Sequence, residues 1–356
     1  MAVVQKNPIG SLWNRHLLPP LRGIGRFLAR LVRNPKGRIG LIMVSVVVLV
    51  AIFAPVLTPY DLDAYDTANG LAKPSLAHPL GTDKNGIDIL TELLYGARIS
   101  LIVGVVTGLS VTLLGAVLGI ISAYFGKISS TVILNLINVL LVIPSLPLMM
   151  VLSKLSSSYL MMIAVFTLLG WCGTARMIRA QVLSLISMNY IKAAELAGGR
   201  KGYIMFRHIL PSVAHLLIMN CCLSCAGFMI AEAGLSFIGL GDASTMSWGK
   251  ILVAAQADAF SSGLWAWVLA PGFAIFFTVF GFIEIGYALE EILNPRFADR
   301  SAKRRNRKRQ KHRTPEEVFA EMSDMGQEEA ERLKREYGLE VPDGYGIGCK
   351  KSESDL

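Results

Sequence analysis

The sequence predicts an all-α membrane protein that crosses the bilayer six times. Hydrophobic residues make up 53% of the chain and charged residues only 17%, whereas soluble domains carry about a quarter charged residues. The apolar residues also fall in six blocks near the length of about 20 residues that a helix needs to cross a bilayer. Because backbone groups in lipid must be hydrogen-bonded within the segment, these blocks are expected to be helices. The blocks are Ile39–Thr58, Ile99–Ala123, Thr131–Ser153, Leu160–Ala175, Ile209–Ala231 and Leu264–Tyr287.

The first 38 residues are predicted to form a basic cytoplasmic N-terminus, because they contain eight Lys or Arg and no acidic residue. Leu21 to Arg33 place most apolar side chains on one helical face and most arginines on the other. That pattern indicates an amphipathic helix on the inner membrane surface. The apolar block that follows is too long for a signal-peptide core, so we expect a retained anchor. An organellar transit peptide is the alternative interpretation of this arginine-rich start.

The distribution of positive charge predicts the orientation. Arg176–Arg207 holds six basic residues against one acid, and Arg296–Arg313 holds ten against one. Pro59–Arg98 has the opposite balance, with six acids and three bases. Six crossings place both basic segments and both termini in the cytoplasm. The net charge of +9 therefore reflects membrane topology, and no nucleic-acid partner is expected.

Small residues and prolines mark the second and third spans. The second span carries a stripe of small residues that fall within about 60° of one another on the helix: Gly104, Gly108, Gly115, Gly119 and Ser122. This stripe predicts a close seam between helices rather than a ligand site. Pro144 and Pro147 are expected to kink the third span. The kink either lines a transport pathway or is purely structural.

No site for chemistry is predicted. Cys221, Cys222 and Cys225 have a spacing that can bind a metal, but an apolar helix without nearby His or acid favours packing. Nucleophiles and bases are not grouped in a catalytic pattern either. We therefore expect no catalytic residue and no metal site in this chain.

The loop between the fourth and fifth spans contains a helix-forming run, Asn189–Gly199. A pair of alanines in this run is followed by Gly198 and Gly199, which would end the helix. Pro211 then marks the start of the next span, where a missing N–H costs little. From these residues alone, the short helix either docks in a groove of a partner protein or lies on the membrane surface.

These residues resemble the coupling loop of ABC importer permeases. Ala193, Ala194, Gly198 and Leu210-Pro211 stand at the spacing of that signature, although Lys192 stands where the family usually has Glu. The resemblance to the peptide/nickel class covers roughly residues 30–296. Further motifs follow in order: His78–Asp83 with Gly86 and Asp88, Tyr95–Leu101, Ala175-Arg176 with Arg179, Gly234–Gly241, Ser247–Gly249 and Asn294–Arg296. The chain looks like the C-type permease of a dipeptide or oligopeptide importer with type I architecture.

The resemblance implies a subunit that is not an enzyme by itself. Expected partners are a second homologous permease, two ATPase subunits, an extracytoplasmic solute-binding protein, the lipid bilayer of a prokaryotic inner or plasma membrane, and a peptide substrate. The chain has no Walker-type phosphate loop, so no cofactor is expected in it, and ATP and Mg²⁺ would be bound by the ATPases. The residues expected to couple to the ATPase are Tyr190, Lys192, Ala193, Ala194, Gly198, Gly199 and Pro211.

A second group of residues is predicted to line the pathway: Asn135, Asn138, Pro144, Glu232 and Trp248. Asn135 and Asn138 stand where the family often has Arg and Asp, and we expect the pair to bridge by amide hydrogen bonds. Glu232 either meets the amino terminus of a peptide or caps a bend before Gly234, and the structural role is favoured. Ile283–Tyr287 also departs from the family pattern, so a nickel complex or another small solute remains the alternative cargo.

Two other classes of protein are weighed against a transport permease, and the tail 297–356 carries a separate prediction. A carrier driven by an ion gradient would bury ionisable residues mid-membrane, but Glu232 and Glu284 lie near the ends of predicted spans. A non-transporting scaffold is the third class.

The tail 297–356 is expected either to be solvated with an anionic-lipid contact or to touch the ATPase. The predicted domains are 1–38, 39–98, 99–296 with the coupling helix near 189–203, and 297–356.

Overall fold

The fold is mostly helical in the part of the chain that the computed structural model describes, residues 28–62, 65–154, 158–242 and 244–293, and this part contains no named strand. Ten α-helices occur in this part: α1 Pro35–Leu57, α2 Ile89–Tyr124, α3 Lys127–Val142, α4 Ser145–Ser153, α5 Tyr159–Ile186, α6 Asn189–Leu196, α7 Lys201–Ile204, α8 Leu210–Leu235, α9 Trp248–Ser262 and α10 Trp265–Leu293. One turn of π-helix, Met205–Ile209, joins α7 to α8, and another, Ser236–Leu240, extends α8. The predicted all-α class is confirmed.

Two predictions fall largely outside the described residues. These are the tail 297–356 and most of the amphipathic segment Leu21 to Arg33. Residues 28–33 are helical, and Leu31 is buried with Ala288 and Leu289 of α10.

Five helical segments are long and apolar enough to cross a membrane: α1, α2, α5, the continuous run Lys201–Leu240 and α10. Together α3 and α4 pass the same test, but they are bent by 85° relative to each other. Counted as one broken span, they bring the number in the described residues to six, as predicted. The bend falls at Ile143 and Pro144, so the predicted proline kink is confirmed.

Several predicted span boundaries are wrong, and the true helices are longer. The second span begins at Ile89 rather than Ile99, because Asp88 caps the helix by accepting the Thr91 N–H. The fourth continues through Arg176 to Ile186 rather than ending at Ala175. Hydropathy underestimates both helices because polar residues interrupt the apolar runs: Thr91 and Glu92 at the start of α2 are buried by protein contacts, whereas Arg176 of α5 is exposed.

The stripe of small residues makes α2 the central helix, with α5 and α8 as its main neighbours. Gly104 and Gly108 face Cys225 of α8, which is buried there, whereas the lower part of the stripe faces α5. A Cβ atom at Gly119 would lie 2.7 Å from the carbonyl oxygen of Ala175. The predicted seam is thus confirmed, and it serves two helices rather than one.

Arg98 of α2 supplies a hydrogen-bond donor that α1 lacks. Pro55 lies inside α1 and has no N–H to give to the carbonyl of Ala51, four residues earlier. The Nε of Arg98 donates to the Ala51 carbonyl at 2.6 Å, and Nη2 donates to the Ile52 carbonyl at 3.2 Å. The guanidinium therefore replaces the missing backbone donor and joins α1 to α2.

We expect Arg98→Leu to lower the free energy of unfolding by about 1–3 kcal/mol, because the Ala51 carbonyl is left unpaired in an apolar setting. Adding Pro55→Ala should recover part of this loss, since an alanine at that position provides the N–H that the proline lacks. Thermal unfolding of the purified variants in detergent measures both effects. If the free energy of unfolding of the double variant falls by the sum of the decreases in the two single variants, Arg98 and Pro55 are not coupled.

Candidate functional site

The short helix predicted between the fourth and fifth spans is present as α6, and one side of it is anchored. Its coupling role stays a prediction. Ile191 is the buried residue of α6. It packs in a cluster with Ile204 and with residues from the ends of α2, α5 and α8: Ile120, Tyr124, Ile178, Val182 and Val213. The other side of the helix is uncovered, with Tyr190 47% exposed and Leu196 90% exposed. A large apolar side chain left this open is available to a partner.

Glycine sets the end of α6. Gly198 has a φ of +82°, a conformation that costs little only for glycine. Its N–H donates to the Glu195 carbonyl and the Gly199 N–H donates to the Ala194 carbonyl, both at 3.0 Å. These are the two bonds of a Schellman motif. A Cβ atom at Gly199 would lie 2.7 Å from the Ala194 oxygen, so the spacing from the alanine pair to both glycines follows from the geometry of the helix end.

The exposed surface continues beyond the turn into α7 and the first π-helical turn. Tyr203 is 59% and Phe206 66% exposed. The ring of His208 lies 6.4 Å from that of Tyr190 and 5.9 Å from that of Tyr203, measured between centroids. Pro211 is the second residue of α8, but the continuous helical run already begins at Lys201, so Pro211 does not begin the helix as predicted. We call the exposed set Tyr190, Leu196, Tyr203 and Phe206 the α6 surface.

Among the predicted pathway residues, Glu232 lies in a buried hydrogen-bond network. It is 2% exposed, and its carboxylate accepts from Ser100 Oγ at 3.0 Å and from Ser236 Oγ at 2.7 Å. Ser100 Oγ also accepts from the backbone N–H of Trp248 at 3.3 Å. The network therefore joins α2, α8 and the start of α9, and a contact of Glu232 with cargo stays a prediction.

Trp248 is buried beside the same network. It is 2% exposed, and its indole Nε1 donates to the Leu93 carbonyl at 2.9 Å. Gly96 makes room for the ring, because a Cβ atom there would lie 3.1 Å from Trp248 Cδ1. In this chain Trp248 fastens α9 to α2, and its role in the pathway also stays a prediction.

We expect Glu232→Ala to lower the free energy of unfolding by about 2–3 kcal/mol, because buried hydroxyl partners lose their acceptor. Glu232→Gln keeps one acceptor oxygen and should cost clearly less. Thermal unfolding of the two variants in detergent, compared with transport, separates the roles. A Glu232→Gln variant with unchanged stability but lost transport would indicate contact with cargo instead.

Asn135, Asn138 and Pro144 lie on exposed parts of the bent α3–α4 pair. The amide oxygen of Asn138 accepts from Arg176 Nη2 of α5 at 2.9 Å. No hydrogen bond joins Asn135 to Asn138 among the described residues, so the expected amide bridge is wrong. A charged guanidinium is the stronger donor, and the continuation of α5 past Ala175 brings it to Asn138.

The segment before α2 folds as a compact loop around its acidic motif. Asp83 accepts the N–H of Ile87 at 2.7 Å, and Asp88, the cap of α2, lies 3.1 Å from Nδ1 of His78. Gly86 has a φ of +82°, and a Cβ atom there would collide with the carbonyl of Asp66. The motif residues therefore fix the shape of the loop and the start of α2.

Asp242 ties the loop between α8 and α9 to α5. Burial raises its pKa, but this is outweighed by hydrogen bonds from Ser244 and from the backbone N–H of Tyr159, which bring the pKa of the Asp242 carboxyl below its ordinary value. The Tyr159 N–H donates at 3.0 Å. The charged form of Asp242 is thus the one that holds the start of α5 in place.

A chain with five apolar helical segments long enough to cross a membrane, and a sixth that is broken, is a multi-pass membrane protein. The chain belongs to the family of binding-protein-dependent transport system inner membrane components, whose family model matches residues 115–299. The N-terminal transmembrane domain of oligopeptide transport permease C matches residues 24–74. The protein is therefore a transport permease.

Similar proteins agree with this assignment over most of their length. The dipeptide transport system permease protein DppC of Alkalihalophilus pseudofirmus is 34% identical over 75% of this chain and 88% of its own. The oligopeptide transport system permease protein OppC of Bacillus subtilis is 31% identical over 76% and 88%. A putative peptide transport system permease protein of Brucella abortus is 34% identical over 75% and 90%.

Proposed function

We propose that this chain is the C-type permease of an ATP-driven importer of dipeptides or oligopeptides. In this proposal it forms the pathway with a second, homologous permease. Two ATPase subunits bind ATP and Mg²⁺, and a solute-binding protein outside the membrane delivers the cargo. The peptide cargo is supported by the names of the similar proteins, and a nickel or metallophore complex is the alternative.

The observation that carries the proposal is the α6 surface together with its anchor. Leu196 and Tyr190 face away from the chain, whereas Ile191 lies in one apolar cluster with the ends of α2, α5 and α8. A force applied to α6 by an ATPase would therefore reach three helices at once. Close-packed clusters transmit displacement because they compress little. This supports α6, with Lys192, Ala193 and Ala194, as the coupling element.

Reconstitution tests the proposed function. The chain is purified alone and with its second permease and ATPases, and each preparation is placed in vesicles with the binding protein. We expect ATP-dependent uptake of labelled peptide by the complex and none by the chain alone. Uptake of nickel chelate instead of peptide would assign the alternative cargo. Uptake by the chain alone under an ion gradient would overturn the proposal in favour of a carrier.

The proposed orientation, with both termini and α6 in the cytoplasm, has its own test. Leu196 and Leu76 are 90% and 105% exposed, and they lie on α6 and in the segment before α2. In a Cys349→Ser background, an impermeant maleimide should label Leu76→Cys in intact spheroplasts and Leu196→Cys only after lysis. The opposite pattern would reverse the assigned orientation.

A further inference from the structure

A cleft opens between α1 and α2, and we call it the α1–α2 cleft. Its volume is about 570 Å³, within the range of about 300–1,000 Å³ that is typical of small-molecule sites. Aliphatic side chains of both helices line it, together with Phe282 of α10 and a single charged residue, Arg98. Four of the lining side chains are exposed, so the cleft is accessible from outside the chain: Val48, Ile52, Ile102 and Val106.

Arg98 lies at one end of the α1–α2 cleft. The other lining residues of α2 follow it over the next eight positions, about 12 Å of helix. The polar segment between α1 and α2 lies at the same end, because Thr58 after α1 is hydrogen-bonded to Thr91 in the first turn of α2. Arg98 and its acceptor Ile52 stand seven and six residues from that contact. The guanidinium is therefore placed between a polar segment and the apolar part of the cleft.

The positive charge of Arg98 is not neutralised within the described residues. Its Nε and Nη2 donate to the carbonyls of Ala51 and Ile52, and its guanidinium carbon lies 5.2 Å from the centroid of the Tyr95 ring. These partners are all neutral, and the ion pairs recorded in the described ranges involve other cations. Since a guanidinium has five N–H donors, Arg98 keeps donors for a further acceptor.

The side chains around the α1–α2 cleft favour a lipid over another helix as its occupant. Helices that pack together in lipid do so through small residues, as α2 does at Gly104 and Gly108. The open edges of the cleft instead carry branched aliphatic side chains, which hold the backbone of a second helix away. A flexible acyl chain can lie between such side chains and bury apolar surface there.

We propose that the α1–α2 cleft binds an anionic phospholipid, with its phosphate at Arg98 and an acyl chain along Leu101, Val105 and Val106. A lipid has one anionic end and a long apolar remainder, and the cleft has one cationic end and an apolar remainder. The direction also agrees, because the head group would point toward the polar segment. This inference goes beyond the proposed function, because it assigns a lipid site that is independent of the cargo.

Photocrosslinking in the assembled permease pair tests the proposal. The pair is placed in neutral phosphatidylcholine bilayers with a trace of phosphatidylglycerol or phosphatidylcholine that carries the same photoreactive acyl chain. Mass spectrometry of the peptides measures the adducts at Val105 and Val106. We expect about fivefold more adduct from phosphatidylglycerol, the effect of one basic residue at an anionic head group. Excess inorganic phosphate should leave the yield unchanged, because the acyl chain contributes to binding.

Arg98→Gln should bring the ratio of the two adduct yields close to one, because the side chain loses its charge but keeps an N–H donor for α1. Arg98→Lys keeps the charge and should retain most of the preference. Lys127→Gln removes an exposed cation from the start of α3 and is the matched control, with an unchanged ratio expected.

Ile102→Trp leaves Arg98 in place and fills the cleft. The adduct yield of both probes at Val105 and Val106 should then fall severalfold. Leu113→Trp is the matched control, because Leu113 is an exposed residue on the same face of α2, three turns further on and outside the cleft. Its adduct yields at Val105 and Val106 should equal those of the unmodified pair. If Arg98→Gln does not accumulate, Ile102→Trp and the ratio in the unmodified pair decide the matter.

Equal yields from the two lipids in the unmodified pair, or an unchanged preference in Arg98→Gln, would overturn the proposal. Loss of the adducts with inorganic phosphate would assign the site to a free anion instead. An assembled pair without lipid adducts at the cleft would also overturn it and indicate that the second permease covers this surface. The measurement is an adduct rather than uptake, so failure of the proposed function would leave this test intact.

Discussion

Leu196→Asp is expected to leave the chain inserted and paired with its second permease while reducing ATPase binding at least 30-fold and abolishing ATP-driven uptake. Leu196 is 90% exposed, so the substitution removes no contact within this chain. An exposed leucine on a helix that enters a cleft of a partner becomes fully buried there. Placing a charge in such a cleft costs about 2 kcal/mol or more, which is a factor of about 30 in affinity.

Co-purification of the ATPases with the permease pair measures this effect directly. Leu76→Asp is the matched control, because Leu76 is a fully exposed leucine in the segment before α2. The control should retain the ATPases. Normal ATPase binding and uptake in Leu196→Asp would mean that the α6 surface is not where energy enters the permease.

Gly119→Leu is expected to have the largest effect on the fold itself. Even a Cβ atom at this position would lie 2.7 Å from the Ala175 carbonyl oxygen and 3.0 Å from Ile178 Cβ. α2 and α5 must therefore separate along their main contact to admit a leucine. Overpacking a well-packed interior costs about 1–3 kcal/mol, and the full side chain should exceed the upper end. We expect little of this variant to accumulate in membranes and its unfolding temperature to fall sharply.

Gly173→Leu serves as the comparison for Gly119→Leu. Gly173 is also a helical glycine, on the partner helix α5, but a Cβ atom there meets nothing within 4 Å. The isolated chain should therefore tolerate this substitution. Similar accumulation and unfolding temperatures for the two variants would show that the small-residue stripe does not limit the approach of α2 to α5.

The sequence was sufficient to predict features that depend on local chemistry. Apolar length predicted the spans, Pro144 predicted the bend, and the glycine pair after Ala194 predicted the end of α6. Each of these follows from residues within a few positions of one another. The stripe on α2 was also readable, because helical periodicity alone places its members on one face.

The features that were missed depend on contacts between distant parts of the chain. Arg176 was assigned to a loop because hydropathy falls there, yet α5 continues and its guanidinium meets Asn138. The helix α9 was not predicted, since its short sequence lacks the apolar length of a span. Glu232 was considered as a cap, and its carboxylate does accept from Ser236 one turn further on. Its other partner, Ser100, lies on α2, and only the fold reveals that approach. An arginine within an apolar helix was the signal that could have pointed to the contact of Arg176 with Asn138.

The replacement of a backbone donor by Arg98 has an evolutionary consequence. Proline at position 55 and arginine at position 98 form a single structural unit, although 43 positions separate them in the sequence. In a relative without the proline, the backbone N–H at that position can donate to the carbonyl, so the arginine can be substituted without loss of stability. A relative that loses the arginine first leaves the carbonyl unpaired and is less stable. Across the family, the two positions should therefore co-vary, and the proline should disappear before the arginine does.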